Sequence, residues 1–288
     1  MNNRGPHLHA FTSGLRELGY VEGRNILVEL RSADGSTERL PELAAALASL
    51  RVDVLVAPDP PSTFAAKAAT KTIPIVMRSS NDPVQMGLVS SLARPGGNIT
   101  GVYSLYAELA PKRLELLKEA IPGLRRVAVL WNPEWRGTVT VWRDIQLAAK
   151  ALGLELHSLE VRRPDELEGA FHAASAGRAG ALLTLRNPLL VVHRRQLAVL
   201  AARTRVPVMY DEREFVDEGG LMSYGANLDD LYRRAAAYVD KILKGASPAE
   251  IAVEQPTRFE LVINLKTART LGITIARPVL LRADKVIE

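Results

Sequence analysis

Val52-Asp53-Val54-Leu55-Val56-Ala57, followed at once by Pro58-Asp59-Pro60-Pro61-Ser62-Thr63, sets the fold class of this chain. The first six residues are apolar but for one aspartate. A strand with one face in water alternates apolar and polar residues, whereas a nearly continuous apolar run is a strand covered on both faces. The prolines and hydroxyl residues that follow open a helix. The unit is therefore a buried strand feeding a helix.

The same unit recurs along the chain. Short runs rich in β-branched residues lie at Ile26–Leu30, Ile73–Met77, Arg126–Trp131, Glu155–Leu159, Ala181–Leu185 and Pro207–Tyr210. Segments with helical periodicity separate them. Leu40, Leu43, Leu47 and Leu50 share one face of a helix over Leu40–Leu50. Pro111–Ala120, Val141–Leu152, Val192–Arg203 and Leu228–Leu243 read the same way. Strand and helix alternating at this spacing predict βαβ units, a parallel sheet and an open, doubly wound α/β architecture.

The alternation breaks at Ala93–Gly101, at Gly219–Asn227 and near Val253–Thr257. Each break carries glycine or proline, which ends a helix. Crossings there predict two discontinuous lobes. One is 1–101 with about 226–253, and the other is 102–225 with about 254–288, the final segment being a candidate to cross back. Asn98, Thr100, Gly101, Ser223, Tyr224 and Gly225 are the expected hinge residues. A cleft between such lobes is the default ligand site.

Composition narrows the function classes. The 288 residues are 47% hydrophobic and 24% charged, within the ordinary globular range. The net charge of +5 is spread over scattered arginine pairs among acidic neighbours, a solvated surface rather than a nucleic-acid stripe. There is no cysteine, which removes disulfides, thiolate nucleophiles and Cys-ligated metals. No apolar run approaches the ~20 residues that span a bilayer. The five histidines lack a partner at metal-ligand spacing. Gly-x-Ser-x-Gly, the P-loop and Gly-x-Gly-x-x-Gly are all absent. No catalysis and no cofactor is expected.

Ligands of open α/β sheets bind beyond the carboxyl ends of the strands. Ser62 and Thr63 follow the first quoted strand, either as an ordinary helix cap or as hydroxyls beside amides that hold a carboxylate. Ser79, Ser80, Asn81 and Asp82 follow Ile73–Met77, with Asp82 suited to an ammonium and the serines to a carboxylate; a capped turn is the other reading. Asn132 and Trp135 follow Arg126–Trp131, and Trp135 either stacks on a flat ligand or closes a lobe edge. Asn187 follows Ala181–Leu185. Asp211 and Arg213 follow Pro207–Tyr210, where Arg213 clamps a carboxylate or joins a surface ion cluster.

Four stretches resemble one known family. They are Gly14–Ile26; Asp82-Pro83-Val84 with Gly87–Val89 and Ser91–Gly101; Arg213–Val216 with Gly219–Gly225; and Glu254–Thr257 with Phe259–Ala268 and Arg282–Glu288. In these the chain resembles the substrate-binding proteins of ABC transporters, in the group of tryptophan/tyrosine-type uptake systems. The resemblance implies a type I periplasmic-binding-protein fold, a small polar organic ligand such as an amino acid, and delivery to a permease and its ATPase. It implies a periplasmic or lipid-anchored receptor; no nucleic-acid partner and no direct insertion into the membrane are expected. A ligand-sensing module on the same fold is the alternative.

Two departures from the family stand out. Asn187 stands where an aspartate is more usual. Gly14–Ile26 reads as a helix end, a glycine turn and a strand start, and Met1–His7 is polar and too short for a signal peptide. Family members begin with a signal peptide, a strand and a ligand-facing loop. A start set too late, with the first strand of the N-terminal lobe missing, is the expectation.

Overall fold

The protein is described by a computed structural model over residues 6–288. Met1–Gly5, most of the polar entry segment, lie outside the described residues. The chain runs α1 (Pro6–Glu17), α2 (Leu40–Ser49), β1 (Leu55–Ala57), α3 (Pro60–Ala69), β2 (Ile75–Ser79) and β3 (Ile99–Tyr103). It continues with α4 (Ala110–Ala120), β4 (Arg126–Trp131), α5 (Arg136–Leu152), β5 (Glu155–Glu160), α6 (Glu166–Ala176) and β6 (Ala181–Thr184). Then come α7 (Pro188–Val192), α8 (Arg194–Thr204), β7 (Val208–Tyr210), α9 (Arg213–Asp217) and β8 (Met222–Ala226). The last elements are α10 (Leu228–Leu243), β9 (Phe259–Asn264), α11 (Leu265–Leu271), α12 (Arg277–Leu280) and β10 (Lys285–Ile287).

These elements form two compact units. Unit 1 is the chain up to Leu105 together with Ala226–Arg258; unit 2 is Tyr106–Gly225 with Phe259–Glu288.

Unit 1 holds a parallel sheet in the order β1-β2-β3. Its strands are buried on both faces, as their apolar runs require. Ile75 and Met77 of β2 face one cluster with Leu55 and Ala66, while Val76 faces another with Phe11, Leu231 and Val239. α1 lies directly on α10: a Cβ at Gly14 would sit 3.1 Å from Arg233 Cα and 3.0 Å from Ala236 Cβ. The glycine thus permits backbone-level helix packing. Asn227 caps α10 by accepting from Asp230 N at 2.8 Å. Asp229 and Asp230 occupy its first turn, where negative charge complements the helix dipole.

Ile26–Leu30 is not a strand. It makes only an isolated bridge between Glu22 and Ile26, and Leu27 and Leu30 are exposed. A strand needs a neighbour for its backbone N–H and C=O groups, and among the described residues this segment has no ladder partner. Ile26 and Val28 still pack against the α1/α10 cluster.

Unit 2 holds a seven-stranded sheet in the order β10-β9-β8-β7-β6-β4-β5. The pairs β4–β5, β4–β6, β6–β7, β7–β8 and β9–β10 run parallel. Val127, Val129 and Trp131 of β4 enter one core with α4 and α5, and Ala128 and Leu130 enter the other with α6 and α8. The helix expected over Val192–Arg203 is divided between α7 and α8. Asn187 and Pro188 start α7, and His193, at φ −97 and ψ 21, interrupts it.

Candidate functional site

In unit 1 the loops beyond β1 and β2 are tightly self-bonded. After β1, Asp59 accepts from Ser62 N at 2.8 Å and Ser62 Oγ accepts from Asp59 N at 3.2 Å, a reciprocal cap on α3. Thr63 is fully buried and its hydroxyl donates to Asp59 O at 2.8 Å. After β2, Ser79 Oγ donates to Asn81 O at 2.6 Å, and Ser80 Oγ lies 3.1 Å from Asn81 Oδ1. Asp82 Oδ1 accepts from Val84 N at 2.8 Å and Gln85 N at 3.3 Å. The four polar residues after β2 thus make one turn.

β2 also carries a residue that sequence reading passed over. Arg78 is 5% exposed, and among the described residues its buried Nε and Nη1 have no acceptor. Its signal was a lone arginine between an apolar run and a serine pair.

In unit 2 the strand order reverses between β4 and β6, a switch point where polar groups beyond the strands can face a ligand. The loop after β4 supplies Asn132 and Trp135, joined by Trp135 N donating to Asn132 O at 3.2 Å. Asn132 Oδ1 accepts from Glu134 N at 2.9 Å, and Trp135 is half-buried. The loop after β6 supplies Arg186 and the buried Asn187. Asn187 Oδ1 accepts from Leu190 N at 3.2 Å and Nδ2 donates to Leu185 O at 3.2 Å, so its amide is committed to starting α7.

Asp211 and Glu212 follow β7 and are 4% and 8% exposed. Arg186 meets both: its Nη1 is 3.5 Å from Asp211 Oδ2 and in direct contact with Glu212 Oε1. One guanidinium therefore faces two buried carboxylates. Asp211 Oδ1 is buried, and among the described residues no hydrogen-bond donor reaches it. Arg213 turns away and pairs with Asp217 at 3.1 Å.

Tyr106 closes this cluster, accepting at its hydroxyl from Arg186 N. Burial pushes its phenol well above the ordinary tyrosine range, against the opposing pull of Arg113, so it stays protonated. Arg113 is fully buried, 4.7 Å over the Tyr106 ring, and donates to Tyr106 O at 2.7 Å. Arg186 and Glu212 stand in the loops read from sequence beside Asn187 and Asp211, whereas Tyr106 and Arg113 were not singled out.

The expected hinge residues also have local roles. Asn98 Nδ2 donates to Ile73 O at 2.8 Å, and Thr100 Oγ1 donates to Ile251 O at 2.6 Å. Gly101 and Gly225 lie where backbone approaches closely: a Cβ would fall 2.1 Å from Met77 O and 2.0 Å from Asp211 O, respectively. Ser223 is buried, and Tyr224 O accepts from Arg113 Nη1 at 3.4 Å. Among the described residues no group of three or more His, Asp or Glu could hold a metal ion, and no helix is long and apolar enough to cross a membrane.

Parallel sheets covered on both faces, with each unit assembled from separate stretches of chain and polar groups gathered beyond the strand ends, define a binding protein of the type I periplasmic fold. The family described as ABC transporter substrate binding protein matches residues 6–287, and the chain belongs to it. It is a family of substrate-binding proteins, not of enzymes.

The chain is similar to a tyrosine-binding protein of Clostridioides difficile, with 28% identity over 91% of this chain and 75% of the relative. Among solved structures, a conserved domain protein of Vibrio cholerae shares 30% identity at a TM-score of 0.88, covering 98% of this chain and 95% of the other. An ABC domain from Streptococcus pneumonia in complex with L-Trp shares 25% identity at a TM-score of 0.87, covering 97% and 93%.

Proposed function

We propose that this protein is the solute-binding component of an ABC import system, that it works in the periplasm beside a permease and its ATPase, and that its solute is an amino acid. The observation that carries the ligand class is Asp211. Its carboxylate is buried at the end of β7, shares Arg186 with Glu212, and keeps Oδ1 without a donor. A buried acceptor of this kind costs free energy until a donor reaches it, and an ammonium supplies one with full charge. We assign the ammonium to Asp211 rather than Asp82, because Asp82 Oδ1 already accepts two backbone N–H bonds. The tyrosine-binding and L-Trp-bound relatives support an aromatic side chain, and the half-buried Trp135 offers an indole face for it.

Thermal melts with L-tyrosine, L-tryptophan and a panel of other amino acids test this. A ligand that binds only the folded protein adds about 2.7 kcal/mol at one hundred times its Kd. Asp211→Asn is expected to weaken binding by at least about 10-fold, the lower end for a charge-assisted bond. Unchanged affinity in that variant would remove Asp211 from the site, and a flat response to the whole panel would remove the amino-acid reading.

A further inference from the structure

Arg78 is a buried charge of unit 1 that the described residues leave unanswered. It sits near the carboxyl end of β2, in register with Val102 of β3, and points to the α1/α10 side with Val76, two residues earlier on the same strand. Nε and Nη1 are buried with no acceptor, and among the described residues no carboxylate lies within ion-pair distance of the guanidinium. Asp230, in the first turn of α10, is taken by Arg234 at 2.9 Å. The guanidinium lies over the Tyr232 ring, 5.8 Å from Cζ to the centroid.

That ring ties Arg78 to a helix start. His7, in the first turn of α1, stacks on Tyr232 with centroids 5.0 Å apart and planes 11° apart. α1 is a 12-residue helix with no acidic residue in its first turn. Its opening N–H groups lack intrahelical acceptors and carry the positive end of the helix dipole. A buried guanidinium and the first turn of α1 thus both approach one aromatic ring, beyond a strand end of a parallel sheet.

We propose that Arg78 and the first turn of α1 form an anion site in unit 1 that takes a carboxylate. The guanidinium presents a planar fork of donors matched to the two oxygens of that group, and a carboxylate would satisfy the buried nitrogens that no acceptor among the described residues reaches. The carboxylate belongs to a free small acid or to an amino-acid solute, and the experiment separates the two sources.

The test is a set of thermal melts of the whole chain at constant ionic strength. Acetate is compared with acetamide, and L-tyrosine with tyramine, on the wild type and on Arg78→Met. Acetate is expected to raise the wild-type Tm while acetamide does not, and Arg78→Met is expected to lose the acetate response. If the solute supplies the carboxylate, L-tyrosine protects better than tyramine, and Arg78→Met weakens L-tyrosine by on the order of 10- to 100-fold. If only a free acid enters, acetate depends on Arg78 while L-tyrosine does not, and the carboxylate site still stands.

Equal responses to acetate and acetamide in the wild type overturn the proposal, and that comparison needs no variant to fold. An acetate response that survives in folded Arg78→Met overturns it as well. The amino-acid reading fails separately, on a flat response to both L-tyrosine and tyramine, which leaves the acetate comparison to decide Arg78.

Discussion

Adding one methyl group at Gly101 is expected to be among the most damaging small substitutions in unit 1. Gly101 pairs with Met77 across the parallel β2–β3 ladder. Its φ is +139, a region that L side chains rarely adopt, and an added Cβ would lie 2.1 Å from Met77 O and 2.7 Å from Met77 N. The backbone conformation alone costs about 1–3 kcal/mol for a non-glycine residue. Relieving the overlap means pushing β3 off β2 by about an ångström, which disrupts roughly two ladder bonds worth about 1 kcal/mol each. Together these give about 3–5 kcal/mol for Gly101→Ala. With a urea m-value of about 3 kcal/mol/M, the midpoint falls by 1 M or more. The control is Gly169→Ala on the exposed face of α6, where a Cβ meets nothing within 4 Å. There the same change replaces the poorer helix former and is expected to stabilise by about 0.5–1 kcal/mol. Urea melts followed by far-ultraviolet circular dichroism read both variants. A Gly101→Ala midpoint indistinguishable from wild type would refute the close-approach reasoning.

Two other perturbations follow from the local bonding. Asp59→Ala removes the carboxylate that receives Ser62 N in the α3 capping box, and a loss of about 1 kcal/mol is expected in the same melts; no change would mean the cap contributes nothing to unit 1. The Lys244 ammonium, followed by the Tyr20 hydroxyl, holds the Asp240 carboxyl below its ordinary value. A carboxylate with a lowered folded-state pKa adds stability above its unfolded pKa and loses it as pH falls through the folded value. The Tm gap between wild type and Asp240→Asn is therefore expected to be present at neutral pH and to close on acidification; a gap that widens in acid would reverse the assignment.

What the sequence disclosed, and what it withheld, divides along local and non-local lines. β4 and α10 have the limits that their apolar patterns predict, Arg126–Trp131 and Leu228–Leu243, because strand and helix periods are written within a few residues. Ile26–Leu30 has an equally good strand composition and forms none, because a strand also needs a neighbour, and composition says nothing about one. The same distinction governs the candidate site. Arg186, Asp211 and Glu212 each stand just past a strand and were visible as such. That Arg186 meets the two acids follows only from the pairing of β6 with β7. In that ladder Leu182 faces Val208 and Leu183 faces Met209. Carrying the register forward sets Arg186 opposite Glu212, one residue beyond Asp211, which are the acids it contacts. A slip of one residue would send alternate side chains to the other face of the sheet and separate the charges. The register is fixed by Leu182 and Val208 entering one core while Leu183 and Met209 enter the other. The apolar patterning that declares the fold therefore also aligns the buried charges, and the charged cluster is a consequence of core packing several residues away.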